Sequence, residues 1–152
     1  MNLLTKTNGI LARIGSVVQS PVLLAIRLYW GWQFFVDGSG KFEHLDNVTK
    51  YFASLNIPMP RLNVMMAAGT QMACGLLLAA GLLSRFASIP LIGVMCVAYL
   101  TAESDSLHTI FSDPDKFVTR DPFLFLYAAV LVFVFGPGKL SLDALIFKAK
   151  KD

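Results

Sequence analysis

The sequence contains few charged residues and few of the motifs that mark soluble enzymes. Charged residues make up 15% of its 152 residues, against about 25% in a typical soluble domain. Its two cysteines do not form a Cys-x-x-Cys pair, which excludes a thioredoxin-like site. A phosphate-binding loop, a nucleophile elbow and a zinc motif are also absent, and nothing indicates a nucleic-acid partner. Because 55% of the residues are apolar, the composition indicates a protein that is solvated by lipid.

Long uncharged runs support this interpretation. Residues 62–83 form an uncharged run of 22 residues, and a polar break of two residues separates it from a second run at 86–102. About 20 apolar residues in a helix cross the hydrocarbon core of a bilayer. The short break therefore predicts an antiparallel membrane hairpin. Two further apolar runs lie at 21–36, with the single charge of Arg27, and at 122–138, with no charge.

These runs predict an all-α fold, namely a four-transmembrane-helix bundle with short amphipathic or interfacial helices. The whole chain, 1–152, is expected to form a single integral membrane domain. The predicted spans are about 20–37, 61–83, 86–103 and 121–136. The first and last runs are short for a full span, so their helices must extend into flanking residues or lie in a thinned bilayer. Residues 1–19 are expected to form an amphipathic helix at the interface, and 139–152 to form a basic cytoplasmic tail.

The distribution of lysine and arginine predicts the orientation. With the N-terminus inside, the inner segments hold seven basic residues and the outer segments hold five. Basic residues favour the cytoplasmic side, so we expect a multi-pass protein of the inner membrane with both termini in the cytoplasm. The first 20 residues lack the continuous apolar core of a cleavable signal. The basic tail either contacts anionic lipid or is simply a solvated charged end.

Two polar segments are expected to cover the outer end of the bundle. Apolar residues recur at helical spacing in residues 41–57, which predicts a short surface helix that ends before Pro58. The longest polar stretch, 103–121, contains apolar residues of its own. We expect it to fold back onto the bundle.

Several short patterns occur in a fixed order along the chain. They are Arg27-x-x-x-Gly31-x-x-Phe34, Gly38-x-x-Lys41, Gln71-x-x-x-Gly75, Gly81-Leu-x-x-Arg85, Gly136-Pro137-Gly138 and Ser141-Leu142-Asp143-Ala144. Each pattern alone is weak, but the ordered set resembles the DoxX family of small four-helix membrane proteins. The resemblance covers about residues 20–146. One position departs from the family pattern, because the family often has glutamate where this chain has Gln71, and glutamine cannot carry a proton.

The resemblance implies a function in membrane redox chemistry. The family includes the small subunit of an archaeal thiosulfate:quinone oxidoreductase, which implies a quinone-interacting or accessory subunit. It does not imply that this chain catalyses a reaction alone. No haem, flavin or iron–sulfur site is evident, so electrons would come from a membrane or peripheral redox partner. Association of two or more copies of the chain is a further option for a partner. The alternatives are a structural or assembly protein without a ligand, or a small carrier of anions or metabolites.

Arg27 is the strongest candidate for a ligand-binding residue, since a charge inside a membrane span is costly unless it is paired or hydrated. With Gln71 and Tyr99, it is expected to line a polar pocket between helices. Alternatively, Arg27 satisfies backbone carbonyls or extends to the inner interface, and Gln71 makes only an interhelical hydrogen bond. Asp37 and Lys41 lie four residues apart and are expected to form a helical ion pair.

His44 and His108 are weak metal candidates. Both should lie at the outer face with several carboxylates, and such a set can bind a transition metal. The sequence has no His-x-x-x-His or similar spacing. A solvated polar rim is therefore the favoured interpretation, and no metal site is predicted.

Overall fold

The computed structural model describes residues 3–148, and every regular element in that range is an α-helix. The helices are α1 Leu3–Glu43, α2 Leu45–Ser54, α3 Pro60–Ala80, α4 Ser84–Thr101, α5 Ser104–His108, α6 Pro114–Val118, α7 Asp121–Phe135 and α8 Leu142–Lys148. The predicted all-α class is therefore confirmed. Helices α1, α3 and α4 are long and apolar enough to cross a membrane. Helix α7 is apolar but has 15 residues, or about 22 Å, which is less than the hydrocarbon core.

The long helices pack around one apolar core. Helix α1 lies along α3, α4 lies along α7, and α3 also contacts α4. The core includes Phe34, Leu78, Leu91 and Val132, all fully buried. The ring of Phe34 meets that of Phe125 edge to face at a centroid distance of 4.8 Å. This packing buries one face of each helix and leaves its remaining faces exposed, as expected for a multi-pass membrane protein.

The two ends of the bundle differ. We call the end where α1 stops and α3 and α7 begin the loop end, and it carries α2, α5 and α6. We call the opposite end the turn end, where residues 81–83 join α3 to α4 and α8 follows α7.

Helix α1 is longer than the sequence predicted. The predicted helix 1–19 and span 20–37 are one continuous helix with Pro21 inside it, so the expected boundary between them is wrong. At 41 residues, α1 is about 60 Å long. Proline removes one intrahelical hydrogen bond, but membrane helices commonly tolerate that loss. The side chains of residues 8–19 are all exposed, and their placement at a membrane interface stays a prediction.

The loop end is built as the sequence predicted. Helix α2 forms within residues 41–57 and packs on α3. The polar stretch 103–121 forms α5 and α6 and folds back, because the Tyr99 hydroxyl donates a hydrogen bond of 2.9 Å to the Phe117 carbonyl. Their rings also stack at a centroid distance of 4.4 Å. Arg120 bridges to Glu103 at 3.1 Å, which closes the base of the segment.

The turn end is held by the segment that follows α7. Helix α3 ends at Gly81, which adopts a left-handed φ of 72°. Backbone amides at this end donate hydrogen bonds back to the carbonyls of Leu77 and Leu78, which caps the helix. Asp143 accepts hydrogen bonds from the backbone amides of Leu83 at 2.7 Å and Ser84 at 3.0 Å. Its own amide donates to the Gly81 carbonyl at 2.9 Å. One residue after the last long helix thus caps the start of α4 and locks the turn.

The C-terminal tail is partly helical. Ser141 accepts a hydrogen bond of 3.1 Å from the Ala144 amide, which is the N-terminal cap expected for α8. Of the predicted tail 139–152, residues 149–152 lie outside the described residues.

Candidate functional site

A close approach between α1 and α3 positions the site. A Cβ atom added to Gly38 would lie 2.7 Å from the Ala68 carbonyl oxygen. The helix therefore does not end at this glycine, as the predicted span had it, but uses it to bring the two backbones together. Because α1 continues to Glu43, Asp37 and Lys41 both lie on helical backbone beside α3.

Three polar side chains meet at this crossing, and we call them the polar cluster: Asp37, Lys41 and Gln71. Lys41 Nζ lies 2.5 Å from Asp37 Oδ2, which confirms the predicted ion pair. Gln71 Nε2 donates to the same oxygen at 2.6 Å. Gln71 is fully buried, whereas the side chains of Asp37 and Lys41 are 42% and 21% exposed. The cluster is thus anchored in the bundle and open on one side.

The polar cluster lies at one wall of a groove with a volume of about 600 Å³. This volume is typical of sites for small organic ligands. Apolar side chains from α2, α3, α4, α7 and the segment between α2 and α3 form most of the lining, among them Phe52, Ile57, Met66, Val94 and Phe125. Along α4 the lining runs from Pro90 to Thr101, or about 16 Å of helix. The groove therefore combines a compact polar site with an extended apolar wall.

The groove opens sideways. Of the lining residues, Met66 on α3 is 60% exposed and Val97 on α4 is 52% exposed. Pro90 and Gly93 on α4 are exposed as well. In a membrane protein these flanks of α3 and α4 face lipid, so a lipid-soluble molecule can enter the groove without passing through water.

The charges around the groove are mainly negative. Its lining includes the carboxylates of Asp37, Glu103 and Asp121 and the single ammonium of Lys41. Arg120 neutralises Glu103 from outside the groove. An anionic ligand would face net repulsion here, whereas a neutral polar group would meet donors and acceptors.

Arg27 does not join the polar cluster. It is fully buried at the turn end, where Nη2 donates to the Leu140 carbonyl at 2.5 Å, and Asp143 acts on it electrostatically. Its position is ten residues before Asp37, about 15 Å along α1. The expected pocket shared by Arg27 and Gln71 is therefore not formed. The Nη2 contact with Leu140 agrees in part with the alternative in which Arg27 satisfies backbone carbonyls, since Nε and Nη1 have no hydrogen-bond partner among the described residues.

The remaining candidates are spread over the loop end. Tyr99 is 3% exposed and is bonded to Phe117, and it does not line the groove. His44 lies in a shallow surface depression beside Glu43, Asp46 and Arg61. His108 closes α5. Within residues 3–148, no three or more His, Cys, Asp or Glu side chains are grouped so that they could hold a metal ion.

The two cysteines are free thiols. Cys74 is partly buried on α3 and Cys96 is exposed on α4. Exposure on a membrane helix gives Cys96 a lipid-facing position, where cysteine behaves as a small apolar residue.

Sequence reasoning missed two features of the site. The first is the hydrogen bond between Asp37 and Gln71, which joins residues 34 positions apart. The second is the role of Asp143, although its motif directly after the last apolar run was noted. Gln71 lies inside one apolar run and Asp37 directly follows another, which is a signal for such a pair but does not say which residues meet.

The fold and the site define the class of this protein: an all-α, multi-pass membrane protein with a polar cluster inside an apolar groove. The DoxX family model matches residues 22–104, and the chain belongs to the DoxX family. It is similar to an uncharacterised protein of Haemophilus influenzae, with 30% identity over 143 residues that cover 89% of this chain and 87% of the relative. No solved structure matches the chain.

Proposed function

We propose that this chain is a membrane subunit of a redox complex and that its groove binds the headgroup of a quinone. The observation that carries the proposal is the polar cluster at the wall of an apolar groove that opens sideways between α3 and α4. A quinone has a polar ring and a long apolar chain. The ring would lie against the polar cluster, and the chain along the α4 wall.

The residues present fit this ligand. Lys41 has ammonium hydrogens beyond the one used by Asp37, so it can donate to a ring oxygen. Phe52 and Phe125 supply flat apolar walls for a ring. A bound quinone would supply two-electron chemistry coupled to protons, and the chain's own residues would bind and orient it. The mainly negative lining favours this neutral ligand over the anion of a carrier.

A partner protein completes the proposal. Quinone chemistry needs a second redox group, and we place that group in a membrane or peripheral redox protein. We also propose the inner membrane as the location, with both termini in the cytoplasm, because the basic residues favour that orientation. The groove would then face the outer side, so the partner would exchange electrons there. A homo-oligomer would have to use other surfaces, because Gly75 of α3 already packs against Gly31 of α1.

Binding of a decyl-substituted benzoquinone to the purified protein in detergent tests the proposal. We expect saturable binding by calorimetry, and a loss of about tenfold in Lys41→Met, the effect of one hydrogen bond to a charged donor. Lys50→Met is the matched control, because Lys50 is an exposed lysine of α2 outside the groove. Absence of binding to the native chain would contradict the proposal and favour a structural or assembly protein.

A further inference from the structure

The hydrogen bond to Asp37 determines the orientation of the Gln71 amide. Asp37 Oδ2 receives both Lys41 and Gln71, at 2.5 and 2.6 Å. The carboxylate of an ion pair only accepts hydrogen bonds. The nitrogen of the Gln71 amide must therefore face Asp37, and the opposite rotamer would place two acceptors in contact. It follows that the amide oxygen points away from the cluster.

That amide oxygen is buried and unsatisfied. Gln71 has no exposed surface, and among the described residues its Oε1 has no hydrogen-bond partner. Gln71 is also one of the residues that line the groove. A buried acceptor without a donor is costly. Because Gln71 lines the groove, a rotation of its side chain that exposes Oε1 would let a ligand bring a hydrogen-bond donor to this oxygen and remove that cost.

We infer that Gln71 makes the groove selective for the reduced, hydroxyl-bearing form of its quinone ligand. The inference rests on the proposed function. The ring oxygens of an oxidised quinone are acceptors only, so one placed against Gln71 Oε1 would leave two acceptors facing each other. A quinol hydroxyl donates to Oε1 instead. Lys41 does not discriminate, because carbonyl and hydroxyl oxygens both accept from an ammonium.

This selectivity has a measurable redox consequence. A site that binds the quinol more tightly than the quinone stabilises the reduced form of the couple. The midpoint potential of the bound couple then rises by about 30 mV for each tenfold preference. Bound quinone would therefore be a better electron acceptor than quinone free in the membrane.

The test compares the two forms of one ligand. Dissociation constants of decyl-benzoquinone and of its chemically reduced quinol are measured anaerobically on the same purified protein. We expect the quinol to bind about tenfold more tightly, the usual effect of one hydrogen bond against an unsatisfied acceptor. In Gln71→Met, which keeps the shape and removes the amide, the two constants should converge.

Gln33→Met is the matched control, since Gln33 donates to the Tyr29 hydroxyl at 3.1 Å and does not line the groove. It should keep the native preference. If the native protein binds both forms equally, or binds the quinone more tightly, the inference is wrong and the proposed function stands. If neither form binds, the proposed function is wrong and the inference falls with it. Both decisions come from the native protein, whether or not Gln71→Met folds.

Discussion

Gly31 and Gly75 face each other across α1 and α3, and a Cβ atom added to either would lie 2.7 Å from the carbonyl oxygen of the other. The contact is reciprocal, so a methyl group added at either position would push the two backbones apart. It lies about six residues from Asp37 and four from Gln71 along the two helices. The closeness of the backbones at this crossing therefore decides whether the polar cluster can form.

We expect Gly31→Ala and Gly75→Ala each to lower the free energy of unfolding by about 1–3 kcal/mol, the usual cost of overpacking a close contact. Unfolding in mixed detergent micelles measures the effect. Gly69→Ala on the same helix is the control, because nothing lies within 4 Å of a Cβ atom there. It should be neutral or slightly stabilising, since alanine favours helix more than glycine does. Equal stability of Gly75→Ala and Gly69→Ala would contradict the prediction.

We expect Asp143→Ala to destabilise the protein by about 0.5–2 kcal/mol, the usual effect of losing a helix cap. The Leu83 and Ser84 amides would lose their acceptor, and Arg27 its nearby carboxylate. The same unfolding assay measures the loss. Asp105→Ala, which removes an exposed carboxylate in the first turn of α5, is the control. A larger effect from the control would refute the capping role.

We expect Arg27→Met to leave quinone affinity unchanged within about twofold, because sites more than 10 Å apart with no shared partner act independently. Arg27 contacts Leu140 at the turn end, and Asp37 of the polar cluster lies ten residues further along α1, about 15 Å away. Calorimetry beside Lys41→Met provides the comparison. A folded Arg27→Met protein that no longer binds quinone would return Arg27 to the binding site.

The proposed orientation predicts which end of the bundle is labelled from outside the cell. Ser112→Cys reports on the loop end and Lys139→Cys on the turn end, and both positions are exposed. Each is placed in a background with Cys74→Ala and Cys96→Ala. A membrane-impermeant maleimide should label Ser112→Cys in intact spheroplasts, and Lys139→Cys only after permeabilisation. The reverse pattern would overturn the orientation.

Features that depend on a single helix were predictable from the sequence. Asp37 and Lys41 are four residues apart, and helical geometry alone brings them together. Ser141 caps α8 for a similarly local reason. The end of α1 was predicted too early, because glycine often stops a helix. Gly38 serves close packing instead, and that use depends on a neighbouring helix.

The sequence by itself determined the lipid solvent, the apolar helices and the local ion pair, because these follow from composition and from the period of one helix. Only the tertiary structure decided that Gln71 contacts Asp37, that Arg27 lies at the turn end away from both, and that α2 and α4 line a common groove. Those contacts depend on which stripes of two helices face each other and at what height. Helical periodicity predicts which face of each helix is buried. The axial register of two neighbouring helices is set instead by close contacts such as that of Gly31 with Gly75.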